Sequence, residues 1–465
     1  MSMIAFYFLG AVMDIKSLLN NLDLKSIPCE YCDVRIEETF QSSIRFQNHE
    51  LTTSLEKSSV GAFLRVRQHG QWYFSATTEL TTLKEQLLTL ATSPDIGGGT
   101  AWTKLPGNYG HFENVQSAKI NPALIFLNEK VELIKKYDEL SKNNPLVKSS
   151  RSVYGDIYKM KSYKNSVGTS FQYDFTQCGA TFMFDLAEDG KMFSDRASIY
   201  GNSFAEIKNQ EHEILGVLNN SHKFLHAPLV TPGKYNLVLN PEITGVFVHE
   251  SFGHMSEADS MIGDPVAKET WKLGKKVAAD FISIVDSGSH EGGSGYCPID
   301  DEGHKATKTY LVKNGILSGR LHSFDTALAL DEQPTGNGRA IGFEFDPIVR
   351  MTSTYIENGT TPIEDLFKMA GDGIYIENFD YGTGGDLFTV APSRAYTIKD
   401  GKLSTPIRAS VISGQLFETL HNIQAISNDF KLEHSALGGC GKGGQFPLPV
   451  SDGGPTILVK DMQVS

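Results

Sequence analysis

The sequence predicts an α+β protein in two parts. Residues 14–220 are expected to form an N-terminal α+β domain with a repeated strand–helix unit. Residues 221–465 are expected to form an antiparallel β-rich, barrel-like domain that carries the site helix. Three observations lead there. Segments such as "DVRIEETF" (33–40), "SIRFQN" (43–48) and "GAFLRVRQHGQWYFSAT" (61–77) are rich in β-formers and alternate with period two. The stretch "GAFLRVRQHGQWYFS" (61–75) can be laid beside "GATFMFDLAEDGKMFS" (179–194), each a Gly-Ala, a strand, a glycine turn and a strand ending Phe-Ser. Beyond residue 234 short strands and tight turns dominate, with Asn314-Gly315 and Asp400-Gly401 at hairpin positions.

Taken in order, residues 1–13 hold a short apolar run without a preceding Lys or Arg and without a small-residue cleavage site. They are expected to be a dispensable, disordered extension, with a signal peptide as the alternative. A helix is expected over 14–21 and another over 80–92, after the strands turned at His69-Gly70. A glycine-rich loop (94–110) leads to a long helix opened by Asn121 as cap and Pro122 in the first turn. The second unit is followed by a helix near 202–218, and the polar, proline-punctuated stretch 219–234 marks the domain boundary. Beyond a strand at 234–240, helices are expected at 323–331, 361–370 and 414–425. Thr361-Pro362-Ile363-Glu364 reads as a capping box for the second of these.

Composition narrows the function. A hydrophobic fraction of 40% with 21% charged residues is that of an ordinary soluble globular chain. Net charge of −13 argues against a direct grip on nucleic acid or on anionic lipid, which needs clustered Lys and Arg. No run reaches transmembrane length. The five cysteines (29, 32, 178, 297 and 440) are odd in number and scattered, which fits a reducing cytoplasm and no disulfide framework. Cys29 and Cys32 form a lone C-x-x-C, read as two ordinary thiols.

The chemistry concentrates in "GVFVHESFGHMSEAD" (245–259). Zinc peptidases carry H-E-x-x-H on a helix, where histidines at i and i+4 share a face. Here His249 and His254 are five apart, and on a regular helix they diverge by about 140°. A π-type bulge or an abrupt helix end between Glu250 and His254, at or beside Gly253, is required to bring both onto one metal. Asn240-Pro241-Glu242 supplies cap, first-turn proline and early acid for that helix. Two imidazoles leave a catalytic zinc site one protein ligand short. Glu257, Cys440 and carboxylates elsewhere are the candidates. Cys440 is favoured because "GGCGKGGQ" surrounds it with glycine, an open setting that leaves a thiol exposed. Glu302, in "DDEG" (300–303), reads as a turn acid.

These motifs together resemble the TldD/PmbA family, and within it the TldD type. The likeness runs from about Asp14 and is carried by "YCDVRIEE", "HESFGHMSEAD", "DDEG" with "LVKNGILSG", "PTGNGR", "STPIR" and "GGCGKGGQ". The resemblance implies a zinc-dependent metallopeptidase acting on unfolded peptides or small proteins. Its ligands are then His249, His254 and Cys440, and Glu250 is the general base toward a zinc-activated water. It also implies a dimer, of two identical chains or with a TldE/PmbA-type partner. The alternative function is a non-catalytic partner or regulator, of the TldE/PmbA or gyrase-binding kind. That half of the family lacks the metal motif, which this chain keeps.

Overall fold

The computed structural model describes residues 14–435 and 437–465; the expected disordered extension, 1–13, lies outside them. Six long strands build the N-terminal sheet: Tyr31–Gln47, Glu50–Gln68 and Gln71–Thr77, then Val147–Asn165, Ser170–Glu188 and Lys191–Gly201. Each trio is a meander, and the first strands of the two trios pair antiparallel along the middle of the sheet. Helices Ile15–Asn21 and Leu127–Asp138 precede the trios, and Leu83–Ala91 and Glu211–Leu225 follow them. The sequence repeat is therefore an α-β-β-β-α unit used twice. His69-Gly70 and Asp189-Gly190 turn the corresponding hairpins, all four with positive φ.

The central strand shows why both faces of this sheet are buried. Its even positions, Cys32, Val34, Ile36, Ile44 and Phe46, pack under the helices. Its odd positions Tyr31, Asp33, Arg35 and Glu37 are equally buried but polar. They meet the C-terminal half, where Arg35 donates to the Gly342 and Phe345 carbonyls at 3.0 and 2.9 Å.

Several expectations shift. The strands expected at 33–40 and 43–48 are one strand, and the next begins at Glu50, through a polar, mostly exposed stretch with weak alternation. The helix expected from Asn121 breaks into a short 3-10 turn, Pro122–Leu124, and the α-helix Leu127–Asp138, although Asn121 does cap by accepting from Ala123 N. The helix placed near 202–218 lies later, at Glu211–Leu225. No capping box forms at Thr361. Pro362 occupies the cap position of Ile363–Ala370 without a side-chain hydrogen bond, while Thr361 bridges to Ser427.

The C-terminal half contains a closed five-stranded barrel. Gly233–Leu239, Ile457–Val464, Ile412–Gln415, Leu387–Lys399 and Gly373–Thr383 pair in that order, and the last returns to the first. That closing pair is parallel. Beside the barrel lies a six-stranded sheet that includes Ile284–Ser287, Ser353–Ile356 and Ser451–Gly454. Asn314-Gly315 and Asp400-Gly401 turn hairpins with positive φ, as expected. Among the described residues no helix is long and apolar enough to cross a membrane.

Candidate metal centre

The site helix leaves the first barrel strand at Asn240, whose side chain accepts from Ile243 N, and runs as α-helix over Pro241–Phe247. Its residues Ile243, Val246 and Phe247 belong to the barrel-side core, which holds the helix rigidly in place. At Val248–Gly253 the helix becomes a π-helix, and the His254 N–H donates to the His249 carbonyl five residues back. The inserted residue is absorbed in this turn, so that the two imidazoles face each other, centroids 5.2 Å apart and planes at 86°. Space is short at Gly253, which ends the π turn, and at Gly245, in the helix before it. A Cβ on Gly253 would fall 2.0 Å from Met351 Sδ, and one on Gly245 2.4 Å from Asp452 Oδ1.

Cys440 completes the cluster. Donor atoms of His249, His254 and Cys440 all lie within 4.8 Å of one another, and His254 Nε2 is 3.3 Å from the sulfur. The expectation of an exposed thiol is overturned: Cys440 is only 4% exposed. It lies on a small hairpin, Cys440–Lys442 with Gln445–Leu448, and the histidine-bearing turn covers it. Gly443 and Gly444, both with positive φ, make the hairpin turn. Arg350, fully buried, donates to the Cys440 carbonyl at 2.6 Å and to the Gln445 carbonyl at 3.3 Å, pinning the strand that presents the sulfur.

Glu257, the other candidate for third ligand, stands behind His254 instead. Its Oε2 is 3.1 Å from His254 Nδ1 and 3.0 Å from Lys442 Nζ, and Lys442 also reaches Asp259 at 2.7 Å. A carboxylate on Nδ1 fixes the tautomer that offers Nε2 toward the cluster. Burial disfavours the His254 cation, yet Cys440 and Glu257 outweigh it and raise its pKa to about 10. Burial likewise opposes the Cys440 thiolate, but the two imidazoles bring the thiol down to about 5. The sulfur is thus held as thiolate at neutral pH, with a proton on the imidazole side that a bound cation displaces.

Two imidazoles and a thiolate form a donor set suited to borderline cations such as zinc. The buried Nδ1 of His249 has no hydrogen-bond partner among the described residues, which leaves it free to serve as a ligand atom. Glu257→Gln is expected to lower metal affinity about 10–100-fold while leaving the fold intact. Competition against a chelating dye measures this, and unchanged affinity would remove the orienting role.

Glu250 follows the first histidine and is half-buried. Among the described residues its carboxylate makes no ion pair and no side-chain hydrogen bond. The end of the Gly373–Thr383 strand and the residues just after it pack on Glu250 closely: a Cβ on Gly384 would fall 1.7 Å from the Glu250 carbonyl oxygen. Sequence reasoning brought together His249, Glu250, His254 and Cys440. It missed Arg350, Lys442 and Gly384, which no local pattern singles out, and the signal for the orienting role of Glu257 was its three-residue spacing from His254.

A thiolate, two imidazoles and an adjacent free carboxylate form the arrangement of a metal-dependent hydrolase. The chain belongs to the PmbA/TldD metallopeptidase family. Residues 232–465 match the PmbA/TldA metallopeptidase C-terminal domain, and residues 32–91 match PmbA/TldA metallopeptidase domain 1. It is 32% identical to a metalloprotease of Synechocystis sp., with 94% of each chain covered. It is 29% identical to the zinc metalloprotease TldD homolog of Saccharolobus solfataricus, covering 72% of this chain and 75% of that one. Two solved structures share the fold. TldE from Thermococcus kodakarensis superposes with TM-score 0.74 at 15% identity, covering 96% of this chain and all of that one. A putative modulator of a DNA gyrase from Thermotoga maritima does so with TM-score 0.73 at 20% identity, covering 94% and 96%. The chain is a metallopeptidase.

Proposed function

We propose that the chain is a zinc-dependent peptidase of the TldD type that hydrolyses unfolded peptides or small proteins, with His249, His254 and Cys440 as ligands and Glu250 as general base. The observation that carries this reading is the π turn, which sets His249 and His254 around Cys440 with Glu250 beside them. Zinc there supplies Lewis acidity toward a scissile carbonyl and lowers the pKa of water. Glu257 holds the His254 ring, and Arg350 holds the strand of Cys440. Glu250, uncommitted to any ion pair among the described residues, takes the proton of the attacking water and passes it to the leaving amine. A thiolate ligand donates charge and weakens the cation as a Lewis acid, so turnover is expected to be modest.

Purified chain should contain zinc and hydrolyse an unstructured peptide, lose that activity to a chelator and regain it with zinc. Activity that survives full removal of metal would overturn the proposal. The same reading includes a dimer, of two such chains or with a TldE/PmbA-type partner, since a shielded site admits unfolded chains and rejects folded ones. Elution at the monomer mass in gel filtration, with full activity, would contradict that assembly.

A further inference from the structure

We propose that Asp300, Glu302 and His304 form a second metal centre, which takes a divalent transition-metal cation at the seam between the N-terminal sheet and the C-terminal half. These three share no residue with the peptidase site. They lie on one tight loop: Ile299 bridges Lys305, Asp300 N donates to the His304 carbonyl at 2.9 Å, and Gly303 N to the Asp300 carbonyl at 3.1 Å. The loop brings donor atoms of all three side chains within 4.8 Å of one another. Exposure is 0% for Asp300, 5% for Glu302 and 2% for His304.

His304 is the telling residue. Neither ring nitrogen has a hydrogen-bond partner among the described residues, which is rare for a buried imidazole. The ring is not loose. It stacks on Phe324 (centroids 5.4 Å, planes at 16°) and meets Tyr109 edge-on at 5.6 Å. Its Nδ1 stands 3.9 Å from Asp300 Oδ1. That is too long for a hydrogen bond, and a cation held by both atoms would draw them closer by about half an ångström, since donors about 2.1 Å from one tetrahedral cation stand about 3.4 Å apart.

The carboxylates are set in advance by backbone. Asp300 Oδ1 accepts from Glu302 N and His304 N at 3.0 and 2.8 Å, and Oδ2 from Gly338 N at 2.9 Å. Glu302 Oε2 accepts from Phe324 N at 2.8 Å, while Arg65 takes Oε1 at 3.1 Å. Asp300 Oδ1 already accepts two N–H groups, whereas Asp300 Oδ2 and Glu302 Oε2 accept one each and keep acceptor capacity for a cation.

Charge points the same way. Four cations, Arg35, Arg65, Lys159 and Lys161, serve this seam, paired with Asp33, Glu37, Asp301, Glu302 and Asp346. With Asp300 there are six carboxylates against these four, and buried Arg339, flanked by the Gly338 and Ala340 amides that donate to Asp300 and Asp301, is a fifth cation, which leaves an excess of one negative charge. Nearby Asp325 is answered by the indole N–H groups of Trp72 and Trp102 and by Arg67. One nitrogen and two carboxylate donors suit zinc, cobalt or manganese.

The test loads metal-stripped full-length chain with Co²⁺ and counts bound cobalt per chain. Two ions are expected in the unaltered protein, and one in His304→Phe, whose ring fits the same aromatic sandwich. Asp300→Asn should also hold one, should His304→Phe fail to fold by circular dichroism. Each centre is read by its own variant. The ion of the peptidase site is lost in Cys440→Ala together with the thiolate-to-cobalt charge-transfer band, and the ion proposed here survives that change without the band. Cobalt content in His304→Phe and Asp300→Asn equal to that of the unaltered chain would overturn the second centre, whatever becomes of the first.

Discussion

Glu250→Gln is expected to keep its metal and lose hydrolysis, with kcat reduced about 10²–10⁴-fold. The glutamine amide has nearly the shape of the carboxylate and can still accept a hydrogen bond, but it cannot take up a proton. Because Glu250 carries no ion pair among the described residues, the change leaves no buried cation uncompensated. The fold and the ligand cluster should therefore persist. Metal analysis paired with a peptide assay decides the matter: hydrolysis that survives in the glutamine variant would end the assignment of Glu250 as base.

Cys440→Ala is expected to cost both metal and activity. In the proposed site the sulfur is one of three donors and the only anionic one, so its removal should weaken affinity by more than the roughly 10–100-fold attached to an orienting partner. The hairpin itself should stay in place, because Arg350 and Lys442 grip its backbone and flank rather than its sulfur. Thermal unfolding of the metal-stripped forms should therefore differ little between variant and parent. Should the alanine variant bind zinc as tightly as the parent, Cys440 would not be a ligand.

Much of this was readable in the chain because it was local. The repeated hairpins have glycine turns flanked by alternating β-formers, and the extra residue in "HESFGH" demanded a distorted turn on geometric grounds alone. The structure supplies that turn at Val248–Gly253. What was hidden depends on distant partners. Glu302 looked like a turn acid, yet it is buried against Arg65 of the other half of the chain. Cys440 looked exposed among its glycines, and the histidine turn that covers it comes from far upstream. The capping box at Thr361 failed because proline took the cap position and the threonine found a strand partner.

The barrel bears on when the enzyme can act during its own folding. The helix that bears the histidines hangs from Gly233–Leu239, and that strand pairs with Gly373–Thr383 on one side and Ile457–Val464 on the other. The sulfur is 186 residues away in the chain from the histidine it faces. Pairings of such separation must each overcome the entropy of closing a long loop. The three donors therefore come together only once both of those pairings and the Cys440 hairpin are in place.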